Sequence, residues 1–529
     1  MLTEQIDEAA ASRGDAPYLE DAAGTATLTY AGLQRSARAW ALHLDEAGIP
    51  PSARVAVRLP DVFGYAAALV GILAAGRVAV PLDPGAPAGD VARMLKVAQP
   101  WALVGDDLES GLPLLGLPEP GDRGQAAGDP APSGTGRGGI FLCTSGTTGT
   151  PKGILLREDQ LMHVARSVAA HHRLTPADRG YCCLPLFHIN AEVVGLLGTL
   201  AAGACLVVDR KFSRRGFWEL IGTRQITWIN AVPAIITILA MDPPVAVPGR
   251  VRFIRSASAP LAPSALERFE DSFGIPVVET YGMTEAASMI TANPLDGPRK
   301  AGSAGRPAGT EVRVVSRDGD LLRPCPPGTI GRVQIRGPGV ITEYAAGGPA
   351  GAIDADGWLE TGDLGHLDQD GYLFLAGRSD DVINRGGEKI YPREIEEFLL
   401  TQPGVRSAVV VAASDEVLGQ RPVAYVVPAD PAVSGDPAVP GDPAVPGGLA
   451  VPGGLAVPGG VAVSGDPATD GGGPDLAASD LADALRAACS AALPRPKRPT
   501  EFRLVPELPL GATGKVSRRR LRELAMAAG

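Results

Sequence analysis

Short apolar runs bounded by Gly or Pro, with helix-like stretches between them, constrain this fold more than any other feature of the chain. RVAVRL (54–59), RVAVPL (77–82), WALVG (101–105) and GIFLCTSG (139–146) are of this kind. Such runs suit strands buried on both faces. Their alternation with helical periodicity predicts βα units and largely parallel sheets through residues 1–375. From about residue 312 the pattern changes to EVRVVSRDGD, GRVQIRG and HLDQDGYLFLAGR, short strands and turns that predict a small antiparallel region. After Gly377 a second unit follows, with a helix near REIEEFLLT, strands SAVVVAAS and RPVAYVVP, and a helix DLADALRAACSAAL.

At 529 residues the chain exceeds what one core supports, which is about 250–300 residues. The expected organisation is an α/β fold in two domains. Residues 1–376 form a large N-terminal domain of βα-layered sheets plus the small antiparallel region. Residues 377–529 form a small α+β C-terminal domain. That domain is interrupted at about 430–475, where GDPAVP and GGLAVP recur every six residues. That segment is too poor in large apolar side chains to build a solenoid core, so a disordered insertion is expected.

Net charge is -11, from 48 basic and 59 acidic side chains, which argues against nucleic acid or an anionic membrane as the main partner. The N-terminus MLTEQIDEAAASRGD lacks the apolar core of a secretory signal. The apolar run 193–208 is shorter than a bilayer span, which needs roughly 20 residues, and reads as a buried helix followed by the strand ACLVV. The six cysteines show no metal-ligand spacing and are expected to be buried and reduced. A cytoplasmic protein, monomeric or homodimeric, is the expectation.

Chemistry concentrates in Thr144, Ser145, Gly146, Thr147, Thr148, Gly149, Thr150, Pro151, Lys152 and Gly153, directly after the strand 140–143. Glycines and small hydroxyl residues let backbone N–H groups approach a polyphosphate, and Lys152 adds charge. Lys152 is followed by Gly rather than Ser or Thr, so this is not a Walker A loop. A plain Gly/Thr-rich turn is the bland alternative.

The segment resembles the phosphate loop of the adenylate-forming superfamily, which includes acyl-CoA synthetases, adenylation domains and luciferases. Further blocks follow in the superfamily's order. They are Glu279-Thr280-Tyr281-Gly282-Met283-Thr284-Glu285; Thr361-Gly362-Asp363; Gly377 to Asp381; Asn384 to Ile390; and Leu510 to Lys515. The similarity spans nearly the whole chain outside the low-complexity segment.

The resemblance implies ATP, Mg²⁺ and coenzyme A. By the same resemblance Glu285, with Thr148, is metal-associated, and Thr284 contacts the α-phosphate. Tyr281 stacks on adenine opposite Ser258 and Ala259, in place of a core aromatic role. Asp363 accepts the ribose hydroxyls and Arg378 contacts ribose or phosphate, in place of a surface ion pair. Lys515 is the catalytic lysine that neutralises charge on the acid oxygen and α-phosphate. Arg518, Arg519 and Arg520 read instead as a solvated helix face. Asp380 matches the hinge about which the resemblance makes 377–529 a mobile lid, and Gly386, Gly387 and Lys389 belong to the face that guides the pantetheine thiol.

PLFHINAEVVGLLGTLAAGA, WINAVPAIITI and RFIRSASAPLAP are similar to a branch containing oxalyl-CoA synthetases, in which His188 lines the acyl pocket. This chain has Asn190 and Ser288 where oxalate enzymes have His, which moves the expectation from oxalate to another small polar acid. Asn190, Asn230, Ser256, Ser258, Ser288 and Met283 are the expected surroundings. A carrier-protein thiol, an amine, or nitrite activation for diazotisation of an aryl amine remain alternative outcomes, as does a non-catalytic ATP-binding regulator.

Overall fold

The computed structural model describes residues 2–105, 110–118, 138–144, 152–241, 249–318, 321–429, 475–509 and 516–527. Ser145 to Pro151, the Gly/Pro-rich repeat and Lys515 lie outside them, as does the side chain of Thr144. The chain divides into two compact units, Met1–Asp380 and Asp381–Gly529.

The first unit is α/β. Its nine-stranded sheet has a parallel centre ordered Val277–Met283, Phe253–Ser256, Trp228–Ala231, Arg179–Cys182, Cys205–Val208 and Pro17–Asp21. Ser288–Ala292 and Thr27–Thr29 add antiparallel pairings on either side. A six-stranded sheet holds the runs singled out in the sequence: Ala102–Gly105, Arg54–Arg58, Val78–Pro81 and Gly139–Thr144 run parallel, and Lys152–Arg157 turns back antiparallel. The expected antiparallel region is a five-stranded sheet of Leu321–Pro324, Glu311–Asp318, Gly331–Arg336, Leu359–Leu367 and Leu373–Arg378.

Helices cover these sheets for local reasons. Tyr30–Glu46 starts at Thr29, whose Oγ1 accepts from Gly32 N at 3.1 Å, a cap that contributes about 1 kcal/mol. Its buried residues Tyr30, Leu33, Ala37, Trp40 and Leu44 follow the 3.6-residue period. Val62–Ala74 is apolar on all sides and buried. The two helices approach closely at Gly71, where an added Cβ would lie 2.1 Å from the Trp40 ring.

The run 193–208 is a buried π-helix, Asn190–Leu197, continued by Gly198–Ala202 and the strand Cys205–Val208. Among the described residues no helix is long and apolar enough to cross a membrane.

The second unit is α+β. The hairpin Val405–Asp415 and Gly419–Pro428 carries Glu501–Leu504 in parallel. The unit's helices are Pro392–Leu400, Asp475–Ala492 and Arg518–Ala527. All six cysteines are free, and four are buried. Cys143 and Cys325 are only half-buried, against expectation, and Cys325 lies at the edge of the small antiparallel region.

Arg518 also departs from expectation. Leu521 and Ala525 are buried, so on an α-helix the inward stripe runs through 518, 521, 522 and 525. Arg518 Nη2 donates to Glu396 Oε2 at 2.6 Å, and its Nη1 donates to Val410 O at 3.0 Å. Arg522 pairs with Asp381. Burial works against the Arg518 charge, but Glu396 and then Asp381 outweigh it and raise its pKa. Arg519 and Arg520 fit the solvated-face reading: both are exposed, and Arg519 pairs with Glu523.

Candidate active site

Val277–Met283 is the strand that organises the candidate site. It pairs in parallel with Phe253–Ser256, and its far end pairs antiparallel with Ser288–Ala292. Glu279 and Thr280 are buried on it, with Thr280 Oγ1 donating to Ser256 O at 3.1 Å. Gly282 is needed where it stands, because a Cβ there would lie 1.6 Å from Ser288 O. The tight return places Ala287 (φ 49°) and Ser288 (φ 96°) in left-handed conformations, a local strain that commonly marks functional turns.

Tyr281, Asp363 and Arg378 converge from two sheets. The Tyr281 hydroxyl donates to Asp363 Oδ2 at 2.5 Å, and Arg378 Nη1 donates to Asp363 Oδ1 at 3.1 Å. Asp363 and Arg378 are cross-strand partners in the antiparallel sheet. Arg378 also reaches Thr361 O, and Thr361 Oγ1 accepts from Asp363 N at 3.0 Å. Burial and then the Asp363 charge push the Tyr281 hydroxyl pKa well up. Burial opposes the Arg378 charge, but Asp363 outweighs it.

Thr284 and Glu285 open a single 3-10 turn, Thr284–Ala286. Glu285 is 8% exposed, and its Oε1 accepts from the Tyr344 hydroxyl at 3.1 Å. Its Oε2 has no partner among the described residues, so a hard cation with oxygen ligands fits this carboxylate. Lys152 Nζ lies 5.5 Å from the Tyr344 ring centroid. Tyr344, absent from the motif reading, thus touches both the carboxylate and the ammonium. Burial and then Glu285 raise its pKa.

His188 is half-buried, with its ring 4.7 Å from that of Phe187. Its carbonyl accepts from Ala191 N and Glu192 N and so starts the π-helix. Ser258, at φ 74°, and Ala259 are exposed after the Phe253–Ser256 strand. Asn190, Asn230, Ser256 and Ser288 are buried. Two buried ionisable groups among them escaped the sequence reading, Arg255 and Glu192. An Arg before Ser-Ala-Ser-Ala-Pro was the available signal for the first.

Asp380 ends the first unit, within the turn Ser379–Asp381. In the second unit, Gly386 and Gly387 form the turn between Ile383–Arg385 and Glu388–Ile390, with Gly387 N donating to Asn384 Oδ1 at 3.1 Å. Lys389 is exposed beside them.

The AMP-binding enzyme family pattern matches residues 6–345, and the AMP-binding enzyme C-terminal domain matches residues 394–442. The chain belongs to the AMP-binding, adenylate-forming enzyme family, and within it to the acyl-CoA synthetases, which are acid–thiol ligases. It is 36% identical over 540 residues to a sulfoacetate–CoA ligase of Cupriavidus necator, covering 97% of this chain and 95% of that one. It is 35% identical over 421 residues to an oxalate–CoA ligase of Arabidopsis thaliana, covering 73% of this chain and 80% of that one. The fold is similar to ATP-bound MatB from Rhodopseudomonas palustris, with TM-score 0.81, 26% identity and 99% of both chains covered.

Proposed function

We propose that this enzyme uses ATP and Mg²⁺ to convert a small polar acid into an acyl-adenylate, releasing pyrophosphate, and then transfers the acyl group to coenzyme A. The observation that carries this reading is the convergence of Glu285, Tyr344 and Lys152 at the end of the strand that also bears Tyr281. A buried carboxylate with one oxygen unpartnered among the described residues, on the same tyrosine as an ammonium, suits a metal-bound triphosphate. Glu285, with Thr148, would hold Mg²⁺, which neutralises phosphate charge when bound.

In this reading Thr144 to Gly149 and Lys152 bind phosphates, and Thr284 contacts the α-phosphate. Tyr281 packs on adenine against Ser258 and Ala259, and Glu279, Thr280 and Gly282 shape that wall. Asp363, held by Tyr281 and Arg378, receives the ribose. Lys515 stabilises the charge that develops as the acid oxygen attacks phosphorus. After adenylation, rotation about Asp380 brings Gly386, Gly387 and Lys389 to guide the thiol.

The small polar acid follows from Asn190, Asn230, Ser256 and Ser288, all buried, with Asn190 two residues from His188 and Asn230 and Ser256 on paired strands. The relatives named for sulfoacetate and oxalate favour the same size and polarity.

Pyrophosphate release measured across mono- and dicarboxylates, sulfonated acids, aromatic acids, fatty acids and nitrite, with and without coenzyme A, tests the reading. Release with one small polar acid, stimulated by coenzyme A, supports it. Release indifferent to coenzyme A would replace the thiol by an amine or carrier protein. Asp380→Pro should spare adenylation and abolish thioester formation, and equal loss of both would remove the hinge.

A further inference from the structure

Arg255 is a buried cation whose hydrogen bonds, among the described residues, go to neutral amides and to no carboxylate. It lies on Phe253–Ser256 and is 1% exposed. Its Nη1 donates to Asn190 Oδ1 at 2.7 Å and to Asn230 Oδ1 at 3.0 Å, while its Nε has no partner among the described residues. A guanidinium has five N–H donors and no acceptor, so the two amide oxygens must face it. They satisfy its geometry and leave its charge uncompensated. Burying a charge unpaired is costly, which makes this arrangement unusual for a purely structural arginine.

Neither register partner of Arg255, Asn230 on one side and Val278 on the other, carries a negative charge. Cys182 and Asn230 are register partners on adjacent strands, as are Asn230 and Arg255. His172 packs on Trp228 and Phe253, one pleat away on the same sheet face. Burial and then Arg255 lower the pKa of both His171 and His172, so these groups add no negative charge. Burial draws the Arg255 pKa down to about 9, opposed by the Cys182 thiol. Glu192, two residues along the π-helix from Asn190, has no hydrogen-bond partner on either carboxyl oxygen among the described residues, so it makes no bond to the guanidinium. Burial alone raises its pKa.

A polar path leads outward from the guanidinium. Asn190 Nδ2 reaches Ser258 Oγ at 3.5 Å, and Ser258 is exposed next to the wall assigned to the adenylate. A turn of the Asn190 amide uncovers Nη1 to a group arriving along this path.

We propose that Arg255, framed by Asn190 and Asn230, determines substrate specificity by receiving the second anionic group of a small dianionic acid, a dicarboxylate or a sulfonated carboxylate, whose other carboxylate is adenylated. The anion takes the place of the Asn190 oxygen and supplies the charge that the amide cannot. This assignment rests on the adenylation reading above and narrows its substrate.

ATP–pyrophosphate exchange with matched acids tests it: malonate against malonamate, and sulfoacetate against acetate. Wild type should favour each dianion in kcat/KM by about 100-fold or more, since leaving a buried cation unpaired forfeits a charge-assisted contact. R255M should bring that ratio to within about threefold, and R255K should restore part of it. A wild-type enzyme indifferent to the second charge, or one served by nitrite alone, overturns the proposal without any variant. So does an R255M that keeps the preference. Absence of exchange with every acid overturns the adenylation reading itself.

Discussion

Tyr281 and Asp363, 82 residues apart in sequence, share a hydrogen bond of 2.5 Å that joins the strand of the main sheet to the small antiparallel sheet. The bond fixes a carboxylate that also takes Arg378, so the group proposed to receive the ribose is oriented before any nucleotide arrives.

Tyr281→Phe keeps the ring and removes this bond. A hydrogen bond to a charged partner contributes about 1.5–3 kcal/mol. The KM for ATP should rise by about 10- to 100-fold with a smaller change in kcat. Steady-state exchange kinetics at varied ATP measure this. An unchanged KM would mean that Asp363 is held well enough by Arg378.

Lys515→Ala should slow adenylation by about 10²–10³ or more while ATP still binds, because the ammonium acts on charge that appears in the transition state. Single-turnover acyl-adenylate formation beside nucleotide binding by calorimetry separates the two. Near-normal adenylation would move the catalytic role elsewhere.

Arg518→Met leaves Glu396 buried without its cation, although Glu396 retains Val410 N at 2.7 Å. A loss of about 2–4 kcal/mol is expected in the second unit, against less than about 0.5 for Arg519→Ala at its exposed site. Hydrogen exchange of the Val405–Asp415 strand reads the difference. Equal protection in both variants would show that the Arg518 pairs contribute nothing net.

Glu192 titrates with a raised pKa in the folded chain, the result of burial. The folded state then holds its proton more tightly than the unfolded state. Its contribution is intact below the unfolded pKa of about 4.3, and stability falls as pH rises from there toward the folded pKa. Glu192→Gln removes that loss. The variant should match wild type near pH 4 and gain on it progressively as pH rises from there toward the folded pKa, in denaturant melts across pH. A constant difference between the two would mean that Glu192 is ionised in the fold.

The strands 54–58, 78–81, 102–105 and 139–144 were legible because an apolar run between turn residues is a local signal. The ordered motifs were legible for a related reason: a strand, a glycine and a carboxylate at fixed spacing act together over a few residues. Tyr344 gave no such signal. It reaches Glu285 from 59 residues away, through a loop whose course local spacing does not set.

The sequence by itself determined the fold class, the order of the two units, the nucleotide-site motifs and the enzyme family they define. These depend on side-chain period and on short-range backbone chemistry. Only the tertiary structure decided which charges are buried and what faces them. Arg518 looked like its exposed neighbour Arg519 until helix phase placed it on Glu396. Arg255 was one arginine in a strand until separate segments closed around it and brought two amide oxygens to its guanidinium. Burial and charge balance are properties of the packed chain, because desolvation depends on every neighbour in space and a sequence names only those along the backbone.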